Sequence, residues 1–157
     1  MSMFKDIITN RFTVLVCRIL IGALFIYASI SKIFHPVSFA ATFINYNVAP
    51  EFIAPLVAVF IPWFEFVFGC MLVLGFRTQT AALGIALLLM GFLVGIGINL
   101  ARGVQMDCGC FEFFGWRENL DIFTFLRDIV FIALTIPPLI SEKHFLAVDV
   151  LFRNEGR

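Results

Sequence analysis

Four long apolar stretches, each long enough to form a helix across a lipid bilayer, divide this chain of 157 residues. A helix needs about 20 mostly apolar residues to cross the roughly 30 Å hydrocarbon core of a membrane. The predicted spans are residues 12–33, 53–76, 80–100 and 122–140. Prolines and glycines mark most of their boundaries, as expected at helix ends. The pattern predicts an all-α membrane protein, a four-transmembrane-helix bundle.

The composition excludes the other common classes of protein. Hydrophobic residues make up 61% of the chain, whereas a soluble domain has about 45–50% apolar residues. A soluble fold of this size could not bury so much apolar surface, because small domains have a high ratio of surface to volume. Lys and Arg number 11, as do Asp and Glu, so no excess positive charge is available to bind a nucleic acid. The lipid bilayer is therefore an expected partner, and a nucleic acid is not.

The basic residues in the loops and at the ends of the spans predict how the chain is oriented. Four spans place both termini on one side, and basic residues concentrate on the cytoplasmic side of a membrane. One side carries Lys5, Arg11, Arg77, Lys143, Arg153 and Arg157, and the other carries Lys32, Arg102 and Arg117. We therefore expect cytoplasmic termini in a bacterial inner membrane, with loops 34–52 and 101–121 on the periplasmic side. Residues 1–157 form a single membrane domain in this interpretation, and residues 141–157 form a short tail.

Apart from Lys32 at the outer end of the first span, four ionisable side chains lie within the predicted spans: Arg18, Glu65, Arg127 and Asp128. Such a side chain costs at least about 2.5–3.5 kcal/mol on membrane-insertion scales, so each needs a partner or a function. At 1.5 Å per residue, Arg18 lies about 9 Å and Glu65 about 16 Å from the cytoplasmic face. We therefore expect an Arg18–Glu65 ion pair. The pair is either a pin between helices or part of a proton or quinone-headgroup site.

Arg127 and Asp128 lie in the outer third of the fourth span. Adjacent residues on a helix point about 100° apart, so these two are not automatically a pair. Asp128 could instead meet Lys32 at the outer end of the first span, and Arg127 could face the preceding loop. One interpretation is that Arg127 and Asp128 have only a local structural role.

The most specific chemical motif is Cys108-Gly109-Cys110 in the loop 101–121. Exposed thiols outside the cytoplasm tend to form disulfides. A disulfide within Cys-x-Cys closes a small strained ring, and strained disulfides are easily reduced. So short a loop gives little stabilisation to a purely structural bond. We interpret the pair as the catalytic redox site, with a soft-metal site and a structural disulfide as the alternatives.

Basic side chains could support a thiol site at the same membrane interface. Lys32, His35 and Arg127 are the candidates to lower the thiol pKa or to bind an oxygen of a quinone. Aromatic residues that would anchor the loop among lipid headgroups follow the cysteines: Phe111, Phe113, Phe114 and Trp116. Cys17 and Cys70 lie inside spans, where an isolated cysteine is usually a small packing residue.

Several short motifs resemble the MauE/DoxX family of redox-associated membrane proteins. They are Arg18 with Gly22 and Ser31-Lys32, Pro62-Trp63-Phe64-Glu65 with Gly75, and Asn99-Leu100-x-Arg102-Gly103 leading into Asp107-Cys108-Gly109-Cys110-Phe111. The likeness covers residues 12–140, and the Cys-Gly-Cys-Phe loop points to the MauE branch. That branch usually has a glycine soon after the phenylalanine, whereas here Glu112-Phe113-Phe114 precede Gly115.

The resemblance implies a four-helix membrane bundle with a role in thiol–disulfide chemistry outside the cytoplasm. The MauE branch is associated with maturation of the disulfide-rich small subunit of methylamine dehydrogenase. We therefore expect a membrane thiol–disulfide oxidoreductase whose Cys108 and Cys110 exchange electrons with a periplasmic thioredoxin-like partner or a disulfide-containing client. Electrons would pass to or from a quinone.

Two other hypotheses remain open at the level of sequence. The chain could be a non-catalytic, DoxX-like anchor subunit of an oxidoreductase complex, or a transporter of a soft metal or small solute. Neither a covalently bound cofactor nor a resident metal is expected, and an oligomer is compatible with every hypothesis. Fold and family alone do not decide among them.

Overall fold

The computed structural model describes residues 10–45, 47, 50–103 and 122–140. These ranges contain the α-helices α1 (Arg11–Phe34), α2 (Pro36–Asn45), α3 (Ala54–Leu74), α4 (Thr78–Ala101) and α5 (Ile122–Ile140), with a short 3₁₀ helix, Glu51–Ile53, before α3. No strand occurs within them. The all-α class is therefore confirmed for this part of the chain.

Three helices, α1, α3 and α4, are long and apolar enough to cross a membrane. They have 24, 21 and 24 residues, so each is about 32–36 Å long at 1.5 Å per residue. Large apolar side chains such as Ile19, Leu56 and Leu87 point outward on all three, which is the arrangement that a lipid solvent favours. Helix α5 has 19 residues and coincides with the fourth predicted span. Its crossing of the membrane and the orientation of the termini stay predictions.

The segment between α1 and α3 is more ordered than the loop predicted at 34–52. Pro36 disfavours a helical conformation in the residue before it, and α1 ends at Phe34 with His35 between the two helices. Proline is itself well suited to the first position of a helix, and Pro36 begins the ten-residue helix α2. The expectation of a simple loop was therefore wrong here.

A tight turn at Gly75 reverses the chain between α3 and α4. Gly75 has a φ of 75°, a conformation that glycine adopts without a steric penalty. Its N–H and that of Phe76 both donate to the carbonyl oxygen of Met71 at 2.9 Å, which satisfies an unpaired carbonyl at the end of α3. The turn sets α4 antiparallel to α3.

The four long helices are neighbours in the cyclic order α1, α3, α4, α5. Their core contains Ile21, Phe25, Leu72, Ala81, Ala82, Ile85 and Leu89. Gly22 and Gly69 let α1 and α3 approach closely, since a Cβ atom on Gly69 would lie 3.0 Å from the carbonyl oxygen of Gly22. Small residues permit this kind of contact between membrane helices. The glycine contact fixes the register of α1 against α3.

Candidate functional site

Lys32 of α1 forms a buried ion pair with Glu65 of α3. Its Nζ donates to both carboxylate oxygens, at 2.8 and 2.9 Å, and the two residues are only 4% and 1% exposed. The ammonium also lies 5.1 Å from the ring centre of Phe39 and 4.7 Å from that of Phe92. A cation over an aromatic face is attracted by the negative face of the ring. Contacts from α2, α3 and α4 therefore converge on one side chain of α1.

Arg127 and Asp128 form a second ion pair on α5. The guanidinium nitrogens Nε and Nη2 lie 3.2 and 3.1 Å from Asp128 Oδ1, and Asp128 is buried. The guanidinium also lies 5.8 Å from the ring centre of Phe131, one turn further along α5. These adjacent residues do pair, because the long arginine side chain bends back to the neighbouring carboxylate.

The two ion pairs line one cavity between α1, α3, α4 and α5, with a volume of about 40 Å³. The remaining lining is apolar: Leu24, Phe25, Ala28, Leu89, Phe92 and Phe131. We call this space, with Lys32, Glu65, Arg127 and Asp128, the charged cavity. Two acids and two bases thus share a small volume within otherwise hydrophobic helices.

Glu65 pairs with Lys32, and the expected pairing with Arg18 was wrong. The first reason is the register of the helices. Gly69 lies against both Gly22 and Ile26, so Glu65, four residues earlier on the antiparallel helix α3, is level with residues 26–30 of α1. Along the helix axis Lys32 is then about 3–9 Å from Glu65, whereas Arg18 is about 12–18 Å away.

The second reason is the direction of the side chains. Every Cα–Cβ bond in an α-helix tilts toward the N-terminus of that helix. Because α1 and α3 are antiparallel, Lys32 and Glu65 lean toward each other and Arg18 leans away from both. Arg18 is itself buried, at 2% exposure, nearer the opposite end of α1.

Lys32 and Arg127, two of the three residues predicted to bind a quinone oxygen, both line the charged cavity. The third, His35, is exposed at the break between α1 and α2 and does not line it. Sequence reasoning missed the rings of Phe39 and Phe92. The chain has 21 phenylalanines, so only the helix register could have singled these two out.

The cysteines fall into two groups. Cys17 is buried and Cys70 is partly buried, and both are free thiols on helices. Cys108 and Cys110 lie outside the described residues, as do the aromatic residues that follow them. Within the described ranges, no group of three or more His, Cys, Asp or Glu side chains could hold a metal ion.

Chain connectivity relates the predicted thiol motif to the charged cavity. The segment with Cys108 and Cys110 leaves α4 after Ala101 and enters α5 at Ile122. Arg127 is five residues into α5, a rise of about 8 Å. The charged cavity therefore lies in the half of the helices to which this segment is attached.

Comparison with known proteins identifies the family. The sequence pattern of the family described as "Methylamine utilisation protein MauE" matches residues 10–141. The chain belongs to the MauE family. The MauE branch expected from the motifs is thus confirmed.

Similar proteins carry the same description in several bacteria. The chain is 33% identical over 120 residues to "Methylamine utilization protein MauE" of Paracoccus denitrificans, covering 76% of this chain and 64% of that protein. It is 35% identical over 86 residues to the protein of that name in Methylorubrum extorquens, covering 54% of this chain and 46% of the relative. The matched part thus spans less than two thirds of both relatives. No solved structure matches the chain.

Proposed function

We propose that this protein is a thiol–disulfide redox protein of the bacterial inner membrane that acts in methylamine utilisation. The observation that supports the proposal is the attachment of the Cys108-Gly109-Cys110 segment to α4 and α5, on the half of the helices that holds the charged cavity. Membership of the MauE family supports the proposed role in methylamine utilisation. In this proposal the segment faces the periplasm, where disulfides persist.

The proposed reaction is a two-electron exchange. A client dithiol attacks the Cys108–Cys110 disulfide, passes through a mixed disulfide and leaves as a client disulfide, while Cys108 and Cys110 become a dithiol. A membrane quinone then accepts two electrons and two protons from that dithiol and becomes a quinol. The client is a periplasmic protein, either thioredoxin-like or one that acquires disulfides.

The proposal places the quinone beside the cysteine segment and outside the charged cavity. Ligand pockets usually have volumes of about 300–1,000 Å³, whereas the charged cavity has about 40 Å³. The Lys32 ammonium is also already bound to both oxygens of Glu65. Arg127, nearer the start of α5, is the better candidate to reach a quinone oxygen.

The redox state of Cys108 and Cys110 in the native membrane tests this proposal. Thiols are alkylated and identified by mass spectrometry, first with the quinone pool oxidised and then with it reduced. We expect the pair to be a disulfide when the quinone pool is oxidised and a dithiol when the pool is reduced. The buried thiol of Cys17 serves as an internal control that does not change. A pair locked in one state would instead indicate a non-catalytic anchor subunit.

Loss of the two thiols provides the second test. The Cys108→Ser/Cys110→Ser variant should insert and accumulate normally but fail to support oxidation of client thiols. Full client oxidation by that variant would contradict the proposed relay.

A further inference from the structure

We propose that the charged cavity is a hydrated proton-exchange site, in which water carries protons between Glu65 and the neighbouring ionisable groups. The inference does not depend on the cysteine pair. It rests on the volume of the cavity, on the groups that line it and on the energetics of ion pairs away from water.

The size of the cavity suits water, and four charged side chains belong to its lining. A water molecule needs about 10–15 Å³ of such space and two to four polar partners. A volume of about 40 Å³ therefore accommodates a few water molecules. Cavities with only apolar walls stay dry, but charged groups from three helices, α1, α3 and α5, line this one.

The charges around the cavity balance. Lys32 comes from α1, Glu65 from α3, and Arg127 and Asp128 from α5, whereas α4 contributes only apolar side chains. Helix α2 adds the Phe39 ring over Lys32. With all four groups ionised, the described lining carries no net charge.

The Lys32–Glu65 pair is buried away from water. Removing two charges from water costs several kcal/mol per ion even after relaxation. Transfer of one proton from the Lys32 ammonium to the Glu65 carboxylate abolishes both charges at once. A water-filled space beside such a pair gives that proton a route to other groups.

A purely structural role explains less of the arrangement. Replacing a buried ion pair with apolar residues is often neutral or stabilising, so packing alone does not require these charges. One pair would pin α1 to α3, yet a second pair faces the same cavity. Ionisable residues within membranes commonly form proton relays.

Infrared spectroscopy of the full-length protein in lipid nanodiscs tests the inference. The Cys108→Ser/Cys110→Ser background removes the proposed thiol chemistry, so the two proposals can fail separately. We expect a protonated carboxyl band that grows as the pH falls, shifts in D₂O and disappears in Glu65→Gln. The absence of any Glu65-dependent band at every pH, or a band that D₂O does not shift, would overturn the proposal.

Two further variants keep the test decisive if Glu65→Gln does not fold. Lys32→Met/Glu65→Gln removes both charges of the pair, so it should fold and lack the band. A band that persists in this double variant would arise elsewhere, and the proposal would fail.

Ala28→Val adds two methyl groups at the wall of the cavity and leaves all four charges in place. Because it displaces bridging water, we expect it to slow deuterium exchange of the Glu65 carboxyl. Ala133→Val, on the exposed face of α5, is the matched control and should not change the rate. Equal rates in the two variants would contradict a water-filled route.

Discussion

At the scale of single residues, Lys32 shows what a charge needs in order to remain inside an apolar assembly. Both oxygens of Glu65 accept hydrogen bonds from its ammonium, and the rings of Phe39 and Phe92 cover it. The Lys32 ammonium is in turn the counter-ion of the Glu65 carboxylate, at 2.8 Å. Removing one member would leave the other as a buried charge without its counter-ion, and such losses cost about 3–5 kcal/mol.

Lys32→Met should therefore lower the free energy of unfolding by about 3–5 kcal/mol. Lys32→Met/Glu65→Leu should recover most of that loss, because no uncompensated charge remains. Denaturant titration of the protein in detergent micelles measures both. Ile30→Met, at an exposed apolar position on the same helix, is the control and should change little. Equal losses in the single and double variants would mean that the two residues are not coupled.

The sequence predicts which residues are ionisable within the helices but does not predict how they pair. Depth counting compared Arg18 and Glu65 by their distances from the cytoplasmic face. The observed pair depends on the contact between Gly22 and Gly69 and on the direction in which side chains lean, neither of which hydropathy contains. The pairing of Arg127 with Asp128 was also not predictable from helix geometry. The two residues point about 100° apart on the helix, but the long arginine side chain is flexible enough to reach the neighbouring carboxylate.

At the scale of helices, the close approach of α1 and α3 determines what their side chains can reach. The helix lengths could be predicted from runs of apolar residues, because a helix needs about 20 such residues to cross the hydrocarbon of a bilayer. Helix α2 could not be predicted in this way, because the prolines on either side of it suggested a loop. The register of α1 against α3 follows from a backbone contact at two glycines and positions Lys32 opposite Glu65.

Gly22→Ala tests this register. A Cβ atom there would lie 2.6 Å from Val73 Cγ2 and 2.9 Å from the backbone oxygen of Gly69, so the helices must separate or slide. We expect a loss of about 1–3 kcal/mol in the free energy of unfolding, as for other overpacked positions.

Gly91→Ala is the matched control for that variant. A Cβ atom at Gly91 meets nothing within 4 Å, and alanine is the better helix former. Its free energy of unfolding should be unchanged or slightly higher in the same titration. If both alanine variants behave alike, the contact between α1 and α3 does not limit stability.

At the scale of the whole molecule, large apolar side chains cover the outer surface, while several charged side chains are buried beside an apolar core. Large hydrophobic side chains are exposed around α1, α3 and α4, while the ionisable residues Arg18, Lys32, Glu65 and Asp128 are buried. This distribution differs from that in a soluble domain, where charged residues are mostly exposed and are almost never fully buried unless paired. It fits the membrane setting that family membership and the three apolar helices indicate.

The predicted orientation can be tested at the two ends of α4. Arg77 and Arg102 are exposed residues that flank this helix of 24 residues, so their positions differ by about 38 Å along its axis. In whole-cell preparations with a permeable outer membrane, a membrane-impermeant maleimide should label Arg102→Cys and not Arg77→Cys. Both variants are made in the Cys108→Ser/Cys110→Ser background. The opposite labelling pattern would invert the orientation.

The Lys32–Glu65 pair also has a consequence for biogenesis. When α1 is synthesised, Glu65 has not yet been added to the chain, and Lys32 near the end of α1 has no carboxylate from α3 to bind. Membrane helices generally insert first and associate afterwards. Lys32 therefore reaches its carboxylate partner only when α1 and α3 pack together. Formation of the Lys32–Glu65 ion pair and association of the two helices are thus a single step of assembly.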